Sequence, residues 1–380
     1  MIISSQFDAG NIECIDASDP GHVQLRIHND SESGFFQWFY FRAANVKDQD
    51  CRYIITNAAA AAYVKGWEGY SAVASYDREY WFRVDTSYAD GNLVIEHNSS
   101  EDQVYFAYFA PYSMERHADL IAFAQTSERC RVETLGLSID GQPIDCLRFG
   151  EPGENRKTIW FVARQHPGET MAEWWMEGLI NRLVDDSDPV VGSMLEKAVI
   201  YLVPNMNPDG SKRGHLRTNA VGSNLNREWD NPTAQKSPEV LCVLDKMMQT
   251  GLDFALDVHG DEALPYNFIA GTEGIPGWNP QRQQLLDIYR ETLARLNPDF
   301  QTENGYPANT PGNANMSYCS NALAEKFGVP VMTLEMPFKD AAGTPDKRQG
   351  WSPERCAKLA HSCLDALHLC WPEIQGVGVD

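Results

Sequence analysis

The sequence predicts an α/β protein of two domains, with an antiparallel β-sandwich at residues 1–118 and a larger α/β domain at residues 119–380. Before residue 118 the apolar runs are short, alternating or aromatic, and turn residues separate them, which is typical of antiparallel sandwiches. After that point near-continuous apolar runs alternate with longer helical segments, which is typical of a partly parallel sheet covered on both faces. A chain of 380 residues is long enough for two such domains.

Five strand-like runs define the predicted sandwich. They are HVQLRI at 22–27, FFQWFYF at 35–41, YIITN at 53–57, LVIE at 93–96 and VYFAYF at 104–109. Turn-forming stretches such as NDSESG and ADGN lie between them. Because this part carries neither a long helix nor a group of catalytic residues, we interpret it as an accessory domain.

The second domain alternates strands with helices. Its predicted strands are 158–163, 198–203, 254–258 and 331–334, and its predicted helices are 170–184, 238–249, 280–296 and 353–369. In sheets of this kind, ligands gather at the carboxyl ends of the strands, where the chain turns and side chains converge. The chemistry of the protein is therefore expected at those strand ends.

Composition and charge exclude several classes of function. The chain is 43% apolar and 22% charged, as in ordinary globular proteins, and its formal net charge of -22 excludes nucleic acid and anionic membranes as partners. No apolar run is long enough to span a bilayer, and the N-terminus lacks the features of a secretory signal, so we expect a cytoplasmic location. The nine cysteines form no Cys-x-x-Cys pair, which favours reduced thiols and leaves histidines and carboxylates as metal ligands.

The segment ARQHPGETMAEWW, residues 163–175, places His166 and Glu169 in a turn between a strand and a helix. Three residues apart in such a turn, both side chains can reach one metal ion. The alternative is a surface turn with a proline that starts the following helix. The other strand ends decide between these interpretations.

A second histidine follows another predicted strand, because residues 254–258 run directly into His259 and Gly260. The His259 side chain can therefore point into the same cleft as His166 and Glu169. Two imidazoles, one carboxylate and an open position for water make a catalytic zinc site. The alternative for His259 is a buried, hydrogen-bonded core residue.

Glu335 follows the strand at 331–334, where a carboxylate is costly to bury unless it has a partner or a chemical task. Near a metal-activated water it would act as a general base and then pass the proton to the leaving amine. The alternative is a strand-end carboxylate that caps a helix or pairs with Arg348 or Lys339.

The segment VPNMNPDGSKRGHLRTNAVGSNLNREWD, residues 203–230, is long, irregular and dense in Asn, Gly and Arg. Arg217 and Arg227 are candidates for contacts with an anion, because the guanidinium fork matches a carboxylate. Solvated surface charges are the alternative for both arginines.

Five motifs occur in order along the chain: HPGE at 166–169, NPDG at 207–210, LRTNAVGSNLNREW at 216–229, LDVHG at 256–260 and TLEMPF at 333–338. Together they resemble the zinc carboxypeptidase family, and within it the cytosolic carboxypeptidase branch. The resemblance covers about residues 119–375, and this branch carries a β-sandwich before its catalytic domain. It implies a catalytic core with a mixed, mostly parallel eight-stranded sheet between helices.

The resemblance also implies a role for each candidate residue at the metal. His166, Glu169 and His259 would bind one zinc ion, and Glu335 would activate the water bound to it. The alternatives given above for the single residues are weaker in this light, because all of the motif residues are present.

Three further roles concern the substrate. Arg217 would polarise the scissile carbonyl and stabilise the oxyanion that develops there. Asn226 and Arg227 would hold the terminal carboxylate, and that contact makes such an enzyme cut from the C-terminus.

The family also closes a loop tyrosine over the substrate, and both Tyr306 and Tyr318 are candidates for it. Relatives that remove glutamate place a basic side chain in the specificity pocket. The stretch NANMSYCSNALAE at 313–325, where that group is expected, contains no Lys or Arg. Glutamate removal is therefore not supported by this stretch, and Lys212 or Arg213 would be the candidates for a basic group from elsewhere.

We therefore predict a zinc-dependent carboxypeptidase that hydrolyses the C-terminal residue of a peptide or protein. One alternative is a zinc amidohydrolase that acts on small N-acyl amino acids and shares the same scaffold. Another, of a different class, is a non-catalytic protein that binds C-termini. The long irregular segment and the predicted sandwich favour the peptidase.

Overall fold

The computed structural model describes residues 1–375, and its N-terminal part contains two five-stranded sheets. The strands are β1 (Ile2–Ser4), β2 (Glu13–Asp16), β3 (Val23–Arg26), β4 (Tyr40–Ala44), β5 (Asp50–Ile55), β6 (Val73–Ser75), β7 (Phe82–Arg83), β8 (Asp85–Ala89), β9 (Asn92–Asn98) and β10 (Gln103–Ala107). One sheet has the order β1-β4-β10-β6-β7 and the other β2-β3-β5-β9-β8. All pairings are antiparallel except β3 with β5, which is parallel.

Aromatic side chains fill the space between these two sheets. The Tyr53 ring from one sheet lies 4.8 Å from the Phe106 ring and 5.7 Å from the Phe41 ring of the other. The predicted strand at 35–41 is only partly correct, because β4 begins at Tyr40. The preceding residues are buried and bond to loops instead, since the Gln37 side chain bonds to the backbone of a neighbouring loop and not to a strand.

The second part contains a seven-stranded sheet with helices on both faces. Its strands are β11 (Cys130–Leu137), β12 (Pro143–Phe149), β13 (Lys157–Ala163), β14 (Ala198–Val203), β15 (Phe254–Asp261), β16 (Phe268–Ala270) and β17 (Val331–Pro337), in the order β11-β12-β14-β13-β15-β17-β16. The helices are α1 (Met114–Ala124), α2 (Met171–Leu183), α3 (Pro189–Lys197), α4 (Pro208–Arg213), α5 (Pro238–Thr250), α6 (Pro280–Leu296), α7 (Cys319–Phe327), α8 (Pro353–Leu369) and α9 (Trp371–Gln375).

Two details of the predicted sheet are wrong. Within residues 1–375 it has seven strands and not eight, and only three of its pairings are parallel: β13 with β14, β13 with β15, and β15 with β17. At the edge beyond β16, Phe300 makes a single parallel bridge with Asn267. The turn-rich stretch TENGYP at 302–307 then leads the chain away, so no further ladder forms there.

The central strands are buried on both faces because their alternate residues face different helices. On β13, Ile159 and Phe161 join the cluster that includes α2 and α8, whereas Trp160 and Val162 join the cluster that includes α5 and α7. All nine cysteines are free thiols, and most are buried. In the described part of the chain, no helix combines the length and the hydrophobicity that a membrane span requires.

The two parts share one hydrophobic core. The cluster that covers one face of the seven-stranded sheet continues into the space between the two N-terminal sheets. At the junction the Tyr108 ring stacks on the Phe338 ring with centroids 4.4 Å apart. Arg83 donates hydrogen bonds to the carbonyl oxygens of Phe338 at 2.9 Å and Gln349 at 3.1 Å. The N-terminal sheets are therefore packed firmly against the second part.

Candidate metal and catalytic site

Three neighbouring strands bring the predicted site residues to one edge of the sheet. His259 lies on β15 directly opposite Glu335 on β17, and Ala163 at the end of β13 pairs with the residue before His259. The turn after β13 starts at Arg164, which has a positive φ of 56° and donates to the carbonyl oxygen of Pro167 at 3.0 Å. That bond folds the turn back on itself and directs its next side chains toward β15.

His166, Glu169 and His259 converge on one point. The Nδ1 atoms of His166 and His259 each lie 2.7 Å from a different carboxylate oxygen of Glu169. All three side chains are buried, and their donor atoms lie within 4.8 Å of one another. Gly260 completes the approach, because its N–H donates to Glu169 at 3.0 Å and a Cβ there would lie 2.4 Å from the Met171 sulfur.

The outer ring nitrogens test whether these residues suit a metal ion. The Nε2 atom of His259 lies 2.9 Å from the Asp257 carboxylate, and that of His166 lies 3.0 Å from the Asn224 side-chain oxygen. Both partners can accept a hydrogen bond from a protonated Nε2, and in that tautomer each Nδ1 would present its lone pair to a metal ion between the three side chains. Metal-bound histidines are usually oriented in this way, and the donor set therefore fits zinc.

The electrostatics agree with this donor set. Burial, helped by the Arg217 cation, lowers the pKa of His166 to about 4. Burial of Glu169 favours its neutral acid, but the two histidines outweigh it and hold the pKa of Glu169 below its usual range. The carboxylates of Asp257 and Glu169 overcome burial and raise the pKa of His259 well above its usual value. A negative potential that holds a proton at this point also attracts a divalent cation.

Glu335 has an unpaired carboxylate oxygen. It is 7% exposed, and its Oε2 finds no hydrogen-bond partner among the described residues. Burial raises the pKa of Glu335 well above its usual value; His259 opposes this shift, and neighbouring carboxylates, including Glu169, add to it. The partners considered from the sequence are engaged elsewhere: Lys339 donates to two carbonyl oxygens, and the Arg348 guanidinium lies over a tyrosine ring.

Arg227 and Asn226 are supported by the start of α7. The Arg227 guanidinium stacks on the Tyr318 ring at 3.7 Å and donates to the carbonyl oxygen of Asn226 at 2.6 Å. The Asn226 side-chain oxygen accepts the N–H of Cys319 at 2.8 Å. This oxygen is thereby occupied, and the amide nitrogen of Asn226 lies 3.4 Å from Nε2 of His259.

Arg217 is held from the N-terminal part of the chain. Its guanidinium lies 5.6 Å from the Phe35 ring centroid and 5.5 Å from that of Tyr63. Tyr63 itself lines the cleft. The N-terminal part therefore contributes a side chain to the wall of this cleft.

One cavity of about 790 Å³ joins all of the predicted site residues. It is lined by His166, Glu169, Arg217, Asn226, Arg227, His259 and Glu335. Both candidate loop tyrosines also line it, but their surroundings differ. The Tyr306 hydroxyl lies 3.4 Å from a carboxylate oxygen of Glu335 and donates to Asp261, whereas Tyr318 lies under Arg227.

The basic residues proposed for specificity behave differently from the prediction. Arg213 forms an ion pair with Asp140 at 2.8 Å, and neither it nor Lys212 is among the described residues that line the cavity. The cavity contains Arg290 of α6 instead, and its Nε is buried without a partner in the described part of the chain. Sequence reasoning missed this residue, because it lies within an ordinary amphipathic helix.

Comparison with known proteins agrees with the geometry. Residues 3–109 match the cytosolic carboxypeptidase N-terminal domain, and residues 114–261 match the zinc carboxypeptidase domain. A metallo-carboxypeptidase from Burkholderia cenocepacia is 44% identical, with a TM-score of 0.95 over 98% of this chain and 99% of that one. The chain belongs to the zinc carboxypeptidase family. It is therefore a metallocarboxypeptidase of a zinc-dependent family, and the donor cluster is compatible with its metal site.

Two further relatives of this zinc carboxypeptidase cover nearly its whole length. A protein of Zymomonas mobilis described only as uncharacterized is 51% identical, over 96% of this chain and 95% of that protein. A metallo-carboxypeptidase from Pseudomonas aeruginosa, solved in complex with (2-guanidinoethylmercapto)succinic acid, is 43% identical. Its TM-score is 0.96, over 98% of this chain and 100% of that one. The N-terminal sheets and the catalytic sheet thus occur together in these structures.

Proposed function

We propose that this zinc carboxypeptidase removes single C-terminal residues from peptides or protein tails, with one zinc ion held by His166, Glu169 and His259. The observation that carries the proposal is the single cavity that joins this metal-binding cluster to Glu335 and to two arginines. A base with a free oxygen and a cation for a terminal carboxylate are the two groups that such a reaction requires besides the metal.

Substrate binding is assigned to Arg227 and Asn226. The Arg227 guanidinium accepts a carboxylate through its fork, and the Tyr318 ring beneath it fixes the plane of that fork. The Asn226 amide N–H₂ adds a second donor. A substrate anchored in this way presents its last peptide bond to the metal-binding cluster and to Glu335.

The proton transfers are assigned to Glu335. Zinc bound at the cluster supplies a Lewis acid that polarises the carbonyl and makes water a better nucleophile. Glu335 removes a proton from the attacking water at its unpaired Oε2 and delivers it to the amide nitrogen as the C–N bond breaks. Arg217 stabilises the negative charge that develops on the carbonyl oxygen.

The pocket beside these groups favours a polar C-terminal side chain. Its lining includes the hydroxyl and amide groups of Ser320, Asn321 and Thr333, and Arg290 and Glu273 add one charge of each sign beside apolar residues. We therefore expect polar residues to be released faster than large aromatic ones. The uncharged Ser320, Asn321 and Thr333 do not themselves select between acidic and basic side chains.

Two further assignments accompany this proposal. We place the division between sandwich and catalytic domain near residue 118, as the change in sequence pattern indicates. A cytoplasmic location is supported by the free, mostly buried thiols and by the match of residues 3–109 to a cytosolic carboxypeptidase domain. The two alternatives, an N-acyl amino acid hydrolase and a non-catalytic binder of C-termini, have no observation of their own in their favour.

The test is a release assay with peptides that differ only in their last residue, run with and without a chelator. We expect single residues to be released, and we expect the chelator to stop this and zinc to restore it. Glu335→Gln should bind zinc as the wild type does but release nothing. If the zinc-loaded wild type leaves every peptide intact and cleaves an N-acyl amino acid, the amidohydrolase replaces this proposal.

A further inference from the structure

The backbone that carries Arg217 is bonded to a carboxylate of the N-terminal sheets' loops. Asp30 is 2% exposed and accepts three consecutive backbone N–H groups, from Leu216 at 2.7 Å, Arg217 at 2.8 Å and Thr218 at 2.9 Å. It also accepts the Thr218 hydroxyl at 3.2 Å. Four hydrogen bonds to one buried carboxylate fix the position of the Arg217 Cα more tightly than an ordinary loop would.

Neighbouring contacts hold the same segment from the same side. The Asn11 side chain donates to the carbonyl oxygen of Gly214 at 2.8 Å, and the Ser31 N–H donates to the His215 ring at 3.1 Å. Gly214 has a φ of 71°, and a Cβ there would lie 2.6 Å from the carbonyl oxygen of Ala9. The backbone of the segment before Arg217 is therefore packed closely against the sandwich.

The Arg217 side chain is confined by the same domain. Phe35 and Tyr63 place their rings within 5.6 Å of its guanidinium carbon. The Gln37 side chain holds the Tyr63 backbone in both directions, since it accepts the N–H at 2.8 Å and donates to the carbonyl oxygen at 3.1 Å. Both the backbone and the guanidinium of Arg217 thus depend on residues that precede position 70 in the chain.

We propose that Asp30 is a positioning residue that holds Arg217 where the charge of the reaction develops, so that the sandwich completes the active site. The inference rests on the proposed function of Arg217. Asp30 is buried behind the loop and is not among the described residues that line the cavity, so its effect on the reaction must pass through Arg217. A shift of the guanidinium by about 1 Å is enough to cost about a hundredfold in rate.

The kinetic test is a double-mutant cycle of Asp30→Asn and Arg217→Met. Asn has the shape of Asp but offers an N–H₂ group to backbone donors, so the loop should shift. We expect Asp30→Asn to lower kcat between about tenfold and a hundredfold, with KM changed less than about threefold. In the Arg217→Met background the same change should lower kcat less than about twofold. Full multiplication of the two effects, or wild-type rates for Asp30→Asn, would overturn the proposal.

The matched control is Asp140→Asn. Asp140 also pairs with an arginine of this segment, Arg213, but at the exposed surface and away from the cavity. This variant should keep the wild-type kcat. Phe35→Leu serves in case Asp30→Asn does not fold, because it leaves every hydrogen bond of Asp30 intact and removes one ring beside Arg217. We expect it to lower kcat several-fold in the wild type and to have no effect with Arg217→Met.

A second readout does not depend on activity. Phenylglyoxal modification followed by peptide mapping measures how accessible each arginine is. In Asp30→Asn, or in Phe35→Leu, we expect faster modification of Arg217 and an unchanged rate at Arg227. If the wild type releases no amino acid but this difference appears in Asp30→Asn, the proposed function is wrong and the positioning by Asp30 stands. Equal modification rates at Arg217 in variant and wild type would refute the positioning.

Discussion

Arg217 and Arg227 belong to one irregular segment, but different domains support them. The Arg217 guanidinium lies against Phe35 and Tyr63 of the sandwich, whereas the Arg227 guanidinium stacks on Tyr318 at the start of α7. We assign the first arginine to the charge of the transition state and the second to the terminal carboxylate. Because their supports are separate, the two functions can be weakened independently, and the predictions below use that separation.

The largest effect is expected from Arg217→Met. We expect kcat to fall about a thousandfold, because a charge that develops in a buried site loses its fixed counterpart, while KM changes little. Steady-state kinetics on a good peptide substrate measure both constants, and zinc content measured by atomic spectroscopy is the control. A rise in KM with kcat preserved would mean that Arg217, and not Arg227, holds the terminal carboxylate.

Arg227→Met should show the opposite pattern. We expect KM to rise about a hundredfold with kcat within about threefold of the wild type, since the lost contact is already made in the bound substrate. A peptide with an amidated C-terminus provides the control, because it lacks the carboxylate and should bind wild type and variant equally weakly. A variant that still discriminates between acid and amide would disprove the assignment.

A third contact holds the segment at Asn219, between the two arginines, and it involves a carboxyl group with a shifted pKa. Asn219 donates to the Lys236 carbonyl oxygen at 2.8 Å and to Glu239, and burial raises the pKa of Glu239 to about 7. A carboxyl whose pKa is raised on folding favours the folded state below about pH 4.5, and this contribution is lost as the pH rises through 7. Ionisation of this buried carboxyl therefore makes the folded protein less stable at alkaline pH.

Glu239→Gln should remove this pH dependence. We expect the free energy of unfolding at pH 8 to increase by between about 2 and 3 kcal/mol, because the variant no longer buries a charge. Urea unfolding at pH 4.5 and at pH 8 measures this free energy, and the wild type and the variant should have nearly equal stability at the lower pH. Equal free energies of unfolding at pH 8 would show that folding does not raise the pKa of Glu239.

The smallest effect is expected from Tyr318→Leu. Loss of the ring under Arg227 should raise KM about three- to fivefold, which is the range of an exposed cation–π contact. Phenylglyoxal modification should become faster at Arg227 and stay unchanged at Arg217. A drop in kcat with KM preserved would mean that Tyr318 acts on the reaction itself and not on the anchoring arginine.

The site residues that follow strand ends lie together in the structure. Their positions could be predicted from the sequence because each depends only on the strand beside it. His259 and Glu335 come directly after apolar runs, and His166 lies in the turn after another one. Parallel strands must end at the same edge of a sheet. Glu169 follows His166 within one turn. Asp257, which orients His259, could also have been found, because residues two apart on a strand face the same side.

The supports of Arg217 could not be predicted in this way. Asp30, Phe35 and Tyr63 precede it by more than 150 positions, and side-chain contacts between domains leave no periodic pattern in a sequence. Arg290 reaches the cavity from α6, where the pattern of apolar residues predicts only which face of the helix is buried. The eighth strand is an expectation from the family resemblance. At its place the structure has a single bridge between Asn267 and Phe300, because turn residues follow Phe300.

The stacked rings of Tyr108 and Phe338 have a consequence for any attempt to shorten this protein. A fragment that starts at residue 119 would leave the face of Phe338 in water, and the carbonyl oxygens bonded to Arg83 would lose their donor. The sandwich and the catalytic sheet therefore form one cooperative folding unit, although two domain families match them separately. We therefore expect the catalytic sheet to fold and act as an enzyme only together with the sandwich.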